Sequence, residues 1–428
     1  MKIKLIRPFS GLQHDNWRNL LYLGIVVFYI IVFFTSLMYG SLGGDYLQYW
    51  IAGKIADEKG YSQIYSLSEL RSVQRQIIDE SGNTENEIDA LFSPLPLGYF
   101  PFFIVPFQFL SKLSIKIGYM IWTILNFGLL IGYLNFFLRK TASRDETVTP
   151  YFKLLIPFLI SYAVFSNITN GQVGVFVLIC GGEFVRQAGN NKPILSGLWL
   201  GGLLLKPPLL ILIIPIFIMM RYWKVLLGFF ASSAFILGTS LLLSGLFGMR
   251  SLIDIWTKVT GATAPTFPER MINWRMVGII LDQLFNNSFG WVIAGIGMVL
   301  TLVAVFYLVR YMPPYGSILW VMNMLGVFSA TLALTWHSHY HMAMILIPFL
   351  VFAVVHKLLS SKTIIAWGIV TPVVFLWTVL LELCFFTLSR INPIDFHFKI
   401  IALTGLILNM VILFSVLQAV KVQNLTKI

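Results

Sequence analysis

The stretch PILSGLWLGGLLLKPPLLILIIPIFIMM, residues 193–220, holds one charged side chain, Lys206, followed at once by Pro207 and Pro208. Twenty-eight residues exceed the roughly 20 that one helix needs to cross a bilayer. Proline removes a backbone donor and breaks a helix from within. Two short membrane helices that meet at Lys206 are therefore expected. Apolar segments of near-spanning length recur at 20–40, 117–138, 151–168, 171–188, 225–247, 289–309, 316–335, 340–356, 363–386 and 398–420. Of the 428 residues 57% are hydrophobic and only 11% charged, against about 25% charged in a soluble domain. This composition excludes an ordinary cytosolic enzyme and a disordered chain. The two cysteines, Cys180 and Cys384, lie inside apolar runs, which speaks against a disulfide or a zinc site. No small-residue cleavage pattern follows the first run, so it reads as a signal anchor.

The net charge of +12 does not point to nucleic acid, because the basic residues are scattered singly between apolar runs, as in loops that flank membrane spans. Their distribution sets the topology. Lys2, Lys4, Arg7 and Arg18 precede the first span, Arg139, Lys140 and Arg144 follow the second, and Arg221, Lys224, Lys357 and Lys362 sit in later short loops. All fall on one side if residues 92–111, with Pro94, Pro96, Pro101 and Pro106, do not cross. The positive-inside rule then gives an all-α, single-domain membrane protein (1–428) of about 12 transmembrane helices. Both termini are cytoplasmic in that topology. Two outside loops follow, 41–116 and 248–288. The first carries helical patterns at 45–59, with Tyr46, Tyr49, Trp50 and Gly53 near one face, and at 68–80.

Charged groups at membrane depth are costly and are read first as functional. Asp45 stands just past the first span. It could cap the following helix, or serve as general base for a hydroxyl nucleophile at the membrane surface; Tyr49, one turn on, could line a sugar site. Lys206 could snorkel to the interface, or offer a phosphate its charge beside free backbone groups. Asn170-Gly171-Gln172 reads as a tight turn whose glycine takes a special backbone angle, and Gln172 could also bond a sugar or phosphate. Glu183 pairs with Arg186 or faces water. Gly197-x-x-x-Gly201 suits close helix packing. His337, His339 and His341 alternate along the chain. Alternate residues of a helix do not share a face, and no acidic ligand is adjacent. A polar pocket rim is thus expected in place of a metal centre, and no metal or cofactor is expected. Arg270 and Arg275 are further phosphate-binding candidates, or else lie in a solvated loop.

The ordered set of these features resembles a family. Gly43-Gly44-Asp45-Tyr46-x-x-Tyr49-Trp50 is followed by Ser93-Pro94-Leu95-Pro96-Leu97-Gly98-Tyr99-Phe100-Pro101, then Ile121-Trp122-x-x-x-Asn126, Asn170-Gly171-Gln172, Lys206-Pro207-Pro208, Arg221-Tyr222-Trp223-Lys224, Asn273-Trp274-Arg275 and the histidine turn. It is similar to glycosyltransferase family 87, integral-membrane enzymes of the GT-C superfamily that include polyprenyl-phosphomannose-dependent α-1,2-mannosyltransferases. The resemblance implies a polyprenyl-phosphate sugar donor, a lipid or glycan acceptor, mannose as the favoured sugar, and inversion at the anomeric carbon. It makes Asp45 the base, sets Lys206 and the histidine turn near the donor phosphate, and sets Gln172 near the sugars. It implies a plasma-membrane enzyme with its active site outside. The chain departs from the family pattern at Asn273-Trp274-Arg275, where many members carry Asn-x-Ser. A flippase of a lipid-linked sugar competes with this reading; the Lys206 break favours it, and the absence of a visible internal repeat disfavours it.

Overall fold

A computed structural model describes residues 10–38, 44–81, 97–141, 155–259, 270–285, 289–386 and 394–425. Among these residues the structure is helical, apart from one isolated antiparallel bridge between Met271 and His339. Among the described residues six helices are long and apolar enough to span a membrane: Trp17–Thr35, Ile115–Thr141, Trp223–Thr257, Phe289–Arg310, Ser361–Leu381 and His397–Lys421. Shorter apolar helices accompany them at Pro101–Leu110, Leu155–Thr169, Pro193–Leu205, Pro207–Met219, Ile318–Leu334 and Tyr340–Val355. The chain is a polytopic helical membrane protein.

The elements used below are α1 (Ser10–Met38), α2 (Gly44–Lys59), α3 (Leu67–Ser81), α4 (Val105–Leu110), α5 (Ile115–Thr141), α6 (Tyr162–Thr169), α7 (Gly174–Gly189), α8 (Pro193–Gly201), α9 (Ile213–Met219), α10 (Trp223–Val259), α11 (Trp274–Phe285), α12 (Phe289–Arg310), α13 (Ile318–Leu334), α14 (Leu346–Val355), α15 (Ser361–Phe386) and α16 (Ile394–Leu425). Helices that are apolar all round are buried either in protein or in lipid, and both cases occur. Nearly all of α13 and all of α14 are enclosed by other helices. The outer helices α1, α10 and α12 turn leucine, isoleucine and phenylalanine outward, with Leu242 88% exposed.

At Lys206 the chain breaks as expected. A 3-10 turn over Gly202–Leu205 ends there and another over Pro207–Leu210 begins. Glycines let α8 and α10 cross at backbone distance, because a Cβ at Gly197 would overlap the Val225 carbonyl and one at Gly228 the Ile194 carbonyl. Glu183 forms a bidentate pair with Arg186, at 2.6 Å for Nη2 to Oε2.

Residues 82–96, with Pro94 and Pro96 of the proline-rich piece, lie outside the described residues, as do 260–269 of the second loop. The described remainder of the first is a 3-10 turn over Pro101–Ile104 running into α4. Those residues reach on the order of 15–20 Å, short of the roughly 30 Å of bilayer hydrocarbon. Gly53 of α2 sits directly on the Phe107 backbone of α4. The second loop is more helical than its expected span of 248–288 implies. The chain kinks at Gly245 (φ 65°), stays helical to Val259, and forms α11 from Trp274. Glycine permits that φ without steric cost.

Gly197→Leu should prevent α8 and α10 from meeting, since overpacking a close crossing costs about 1–3 kcal/mol or more. The expected outcome is loss of the monodisperse peak on size-exclusion chromatography in detergent. Gly128→Ala, where an added Cβ meets nothing within 4 Å, should leave the peak intact.

Candidate active site

The site is built on the turn between α6 and α7. Gly171 has φ +64°, and a Cβ there would overlap Tyr46. The Asn170 carbonyl accepts the Tyr46 N–H at 3.0 Å, so a first-turn amide of α2 finds its partner on this turn. Two rings of α5 hold the turn from behind. Trp122 Nε1 donates to the Gly171 carbonyl at 2.8 Å, and the Tyr119 hydroxyl donates to the Ile168 carbonyl at 2.9 Å.

Asp45 is thereby fixed as the second residue of α2. The capping role open to it in the sequence does not hold, because the helix already begins at Gly44. In the first turn its carboxylate lies in the favourable field of the helix N-terminus, and the Gln172 side chain donates to it. The Gln172 carbonyl oxygen faces the other way. It accepts from the Tyr49 hydroxyl at 3.1 Å and from the Tyr99 hydroxyl at 3.4 Å. Tyr49 also bonds Tyr99 at 2.7 Å, and Lys206 Nζ donates to the Tyr99 hydroxyl.

The histidine turn follows α13 and is tied to the segment before α11. The Ile272 N–H donates to the Ser338 carbonyl at 2.8 Å, Asn273 Nδ2 to the Thr335 carbonyl at 2.8 Å, and Arg275 Nη1 to the Trp336 carbonyl at 3.3 Å. The Arg275 guanidinium also packs over the Trp336 ring at 4.4 Å. The three imidazoles adjoin in sequence, with ring centroids 4.7 Å apart for His337–His339 and 5.9 Å for His339–His341. His341 is buried, and its Nε2 has no hydrogen-bond partner among the described residues.

Electrostatics join the two halves. Burial raises the Asp45 carboxyl above the ordinary carboxylate range, against the opposing pull of the Lys206 charge and the Gln172 bond. Burial, Lys206 and Arg275 push His337 down to about 4. Burial lowers His339 well below the usual histidine range, helped by His337, Lys206 and Arg270. Lys206 thus acts on Asp45 and on the histidine turn together. At neutral pH these two imidazoles are uncharged, so the positive charge comes from Lys206 and the arginines.

The structure therefore brings Asp45, Tyr49, Gln172, Lys206, Arg275, His337, His339 and His341 into one connected cluster. Among the described residues no three His, Cys, Asp or Glu side chains are placed to share a metal ion. Tyr99 is the residue that sequence reasoning did not single out. It lies 107 positions from Lys206, and local spacing carries no sign of their contact. Asn273 is a helix cap: its Oδ1 accepts the Met276 N–H at 3.1 Å. Asn before an amphipathic helix is a readable capping signal.

A cluster of one carboxylate, several cations and neutral hydrogen-bonding groups can move a proton and bind an anionic group. The sequence model of glycosyltransferase family 87 matches residues 98–335. The chain belongs to this family and is a membrane glycosyltransferase. No curated protein and no solved structure matches it significantly.

Because Lys206 holds the Asp45 carboxyl down, Lys206→Met should raise the pH at which Asp45 protonates by about one unit. The check is the pH midpoint of Asp45 labelling by dicyclohexylcarbodiimide, which attacks protonated carboxyls, read by peptide mass spectrometry.

Proposed function

We propose that the protein transfers a hexose or pentose, mannose favoured, from a polyprenyl-phosphate sugar to a lipid or glycan acceptor. The transfer takes place at the outer face of the plasma membrane and inverts the anomeric carbon. The observation that carries this reading is the position of the Asp45 carboxylate at the start of α2, bonded by Gln172 and within the field of Lys206. A polyprenyl donor is soluble only in the bilayer, so its phosphate reacts at the membrane boundary.

In the proposed reaction an Asp45 oxygen takes the proton of the acceptor hydroxyl. The oxygen of the acceptor hydroxyl attacks the anomeric carbon as the bond from this carbon to the phosphate oxygen breaks. Polyprenyl phosphate leaves with the bonding pair, and its new charge is met by Lys206 and Arg275. Guanidinium forks suit phosphate oxygens, and fixed cations in a partly dehydrated site favour developing negative charge. The raised Asp45 basicity suits a general base, whose efficiency rises with its pKa as long as it stays ionised. His337, His339, His341, Tyr49 and Gln172 serve as neutral partners for sugar hydroxyls and phosphate oxygens. Charge stabilisation by these side chains requires no metal or cofactor. The topology that goes with this reading has 12 spans, a non-crossing proline-rich segment and cytoplasmic termini.

The reading is tested in membranes that carry wild type or Asp45→Asn at matched expression, supplied with radiolabelled polyprenyl-phosphate mannose. The expected result is transfer to lipid by wild type and a loss of at least 100-fold in the variant. Equal transfer by both removes Asp45 as the base. Topology is tested separately. A cysteine at Ser143 should react with an impermeant maleimide only from the cytoplasmic side, as the basic residues Arg139, Lys140 and Arg144 around it imply.

A further inference from the structure

We infer that Tyr99 is a positioning residue: its hydroxyl draws the Lys206 ammonium away from Asp45 and, together with Tyr49, turns the Gln172 amide so that its N–H faces the carboxylate. This inference rests on the reading of Asp45 as the base.

The direction of the network follows from donor chemistry. An ammonium only donates, so where Lys206 Nζ meets the Tyr99 hydroxyl, the tyrosine oxygen accepts. The Tyr99 proton must then point onward. The Tyr49 hydroxyl donates to the same Tyr99 oxygen at 2.7 Å, which leaves Gln172 Oε1 at 3.4 Å as the acceptor of the Tyr99 proton. The Tyr49 proton is shared with Gln172 Oε1, at 3.1 Å. A Gln side chain that receives hydroxyl protons must present its carbonyl to them, which leaves its NH2 for Asp45. Lys206 therefore sets the polarity of a chain that ends at the carboxylate.

The ring of Tyr99 holds the ammonium as well, with Nζ 4.8 Å from its centroid, a favourable cation–π contact. Lys206 makes no direct ion pair with Asp45 among the described residues. A direct pair would tie up a carboxylate oxygen and weaken it as a base. The segment that carries Tyr99 is firmly held. The Tyr65 hydroxyl donates to the Tyr99 carbonyl at 2.6 Å, Trp256 Nε1 to the Gly98 carbonyl at 3.0 Å, and the Phe102 N–H to Ser240 Oγ at 3.2 Å. The groups acting on Asp45 are Lys206 from the 3-10 break, Tyr49 from its own helix and the neutral Gln172 amide from the α6–α7 turn. His337, His339 and His341 reach the same Lys206 from the turn before α14.

The test uses the purified full chain in detergent, with the pH midpoint of dicyclohexylcarbodiimide labelling at Asp45 as readout. Tyr99→Phe keeps the ring and removes the hydroxyl. The released ammonium moves onto Asp45, and the midpoint should fall by at least half a pH unit. In the Lys206→Met background there is no ammonium to release, so Tyr99→Phe should give no fall in the midpoint; the loss of one bond to Gln172 can only raise it. An unchanged or higher midpoint in Tyr99→Phe, or an equal fall in both backgrounds, overturns the inference. Should Tyr99→Phe not accumulate, Tyr99→Leu carries the same expectation. Labelling needs no sugar donor, so it stands apart from the base reading. Asp45→Asn that still transfers sugar sinks the base and leaves the Tyr99 result standing.

Discussion

The site depends on a backbone hydrogen bond, from the Tyr46 N–H to the Asn170 carbonyl. It is possible only because Gly171 has no Cβ and takes a positive φ, so that Tyr46 can lie against it. Without that approach α2 would start elsewhere, and its carboxylate would not meet Gln172 two residues along the same turn. Trp122 and Tyr119 hold the turn from α5, which passes the rigidity of a spanning helix to a loop at the membrane surface. Glycine takes this φ without steric cost, and a side chain at the position would collide with Tyr46.

Charge is arranged around the carboxylate with economy. Lys206 emerges between two 3-10 turns, the second of them initiated by proline, that interrupt the membrane helix; such broken helices place polar groups in a membrane protein without leaving backbone exposed to lipid. The arginines reach in from the segment before α11 and from its first turn. His337 and His339, kept neutral by burial and by these cations, can each donate at one ring nitrogen and accept at the other. That suits a substrate rich in hydroxyls better than two further positive charges would.

Much of this was legible where the signal is local. Lys206-Pro207-Pro208 announced its own break, Gly171 its turn, Gly197 and Gly201 their close crossing, and Glu183 its pairing with Arg186. Each depends on residues within one or two turns. Asp45 was legible as a candidate site residue from its place after the first span, though not its exclusion from the cap, which depends on where α2 begins. Tyr99 was not legible, because its partners come from α2, the α6–α7 turn and the Lys206 break, and no periodicity links them. The helical extension of α10 past Phe247 was missed because the glycine kink at Gly245 reads as an end in sequence. The neutral state of the histidines depends on burial beside cations distant in the chain.

In the proposed reaction sugar transfer takes place where α2, the Lys206 break and the histidine turn converge. The most direct measurement is a cryo-EM map of the protein in a lipid nanodisc with polyprenyl-phosphate mannose bound. The account predicts the phosphate against Lys206 and Arg275 with the anomeric carbon facing the Asp45 carboxylate. Phosphate density on another face of the helices, with Asp45 and Lys206 untouched by ligand, would contradict it.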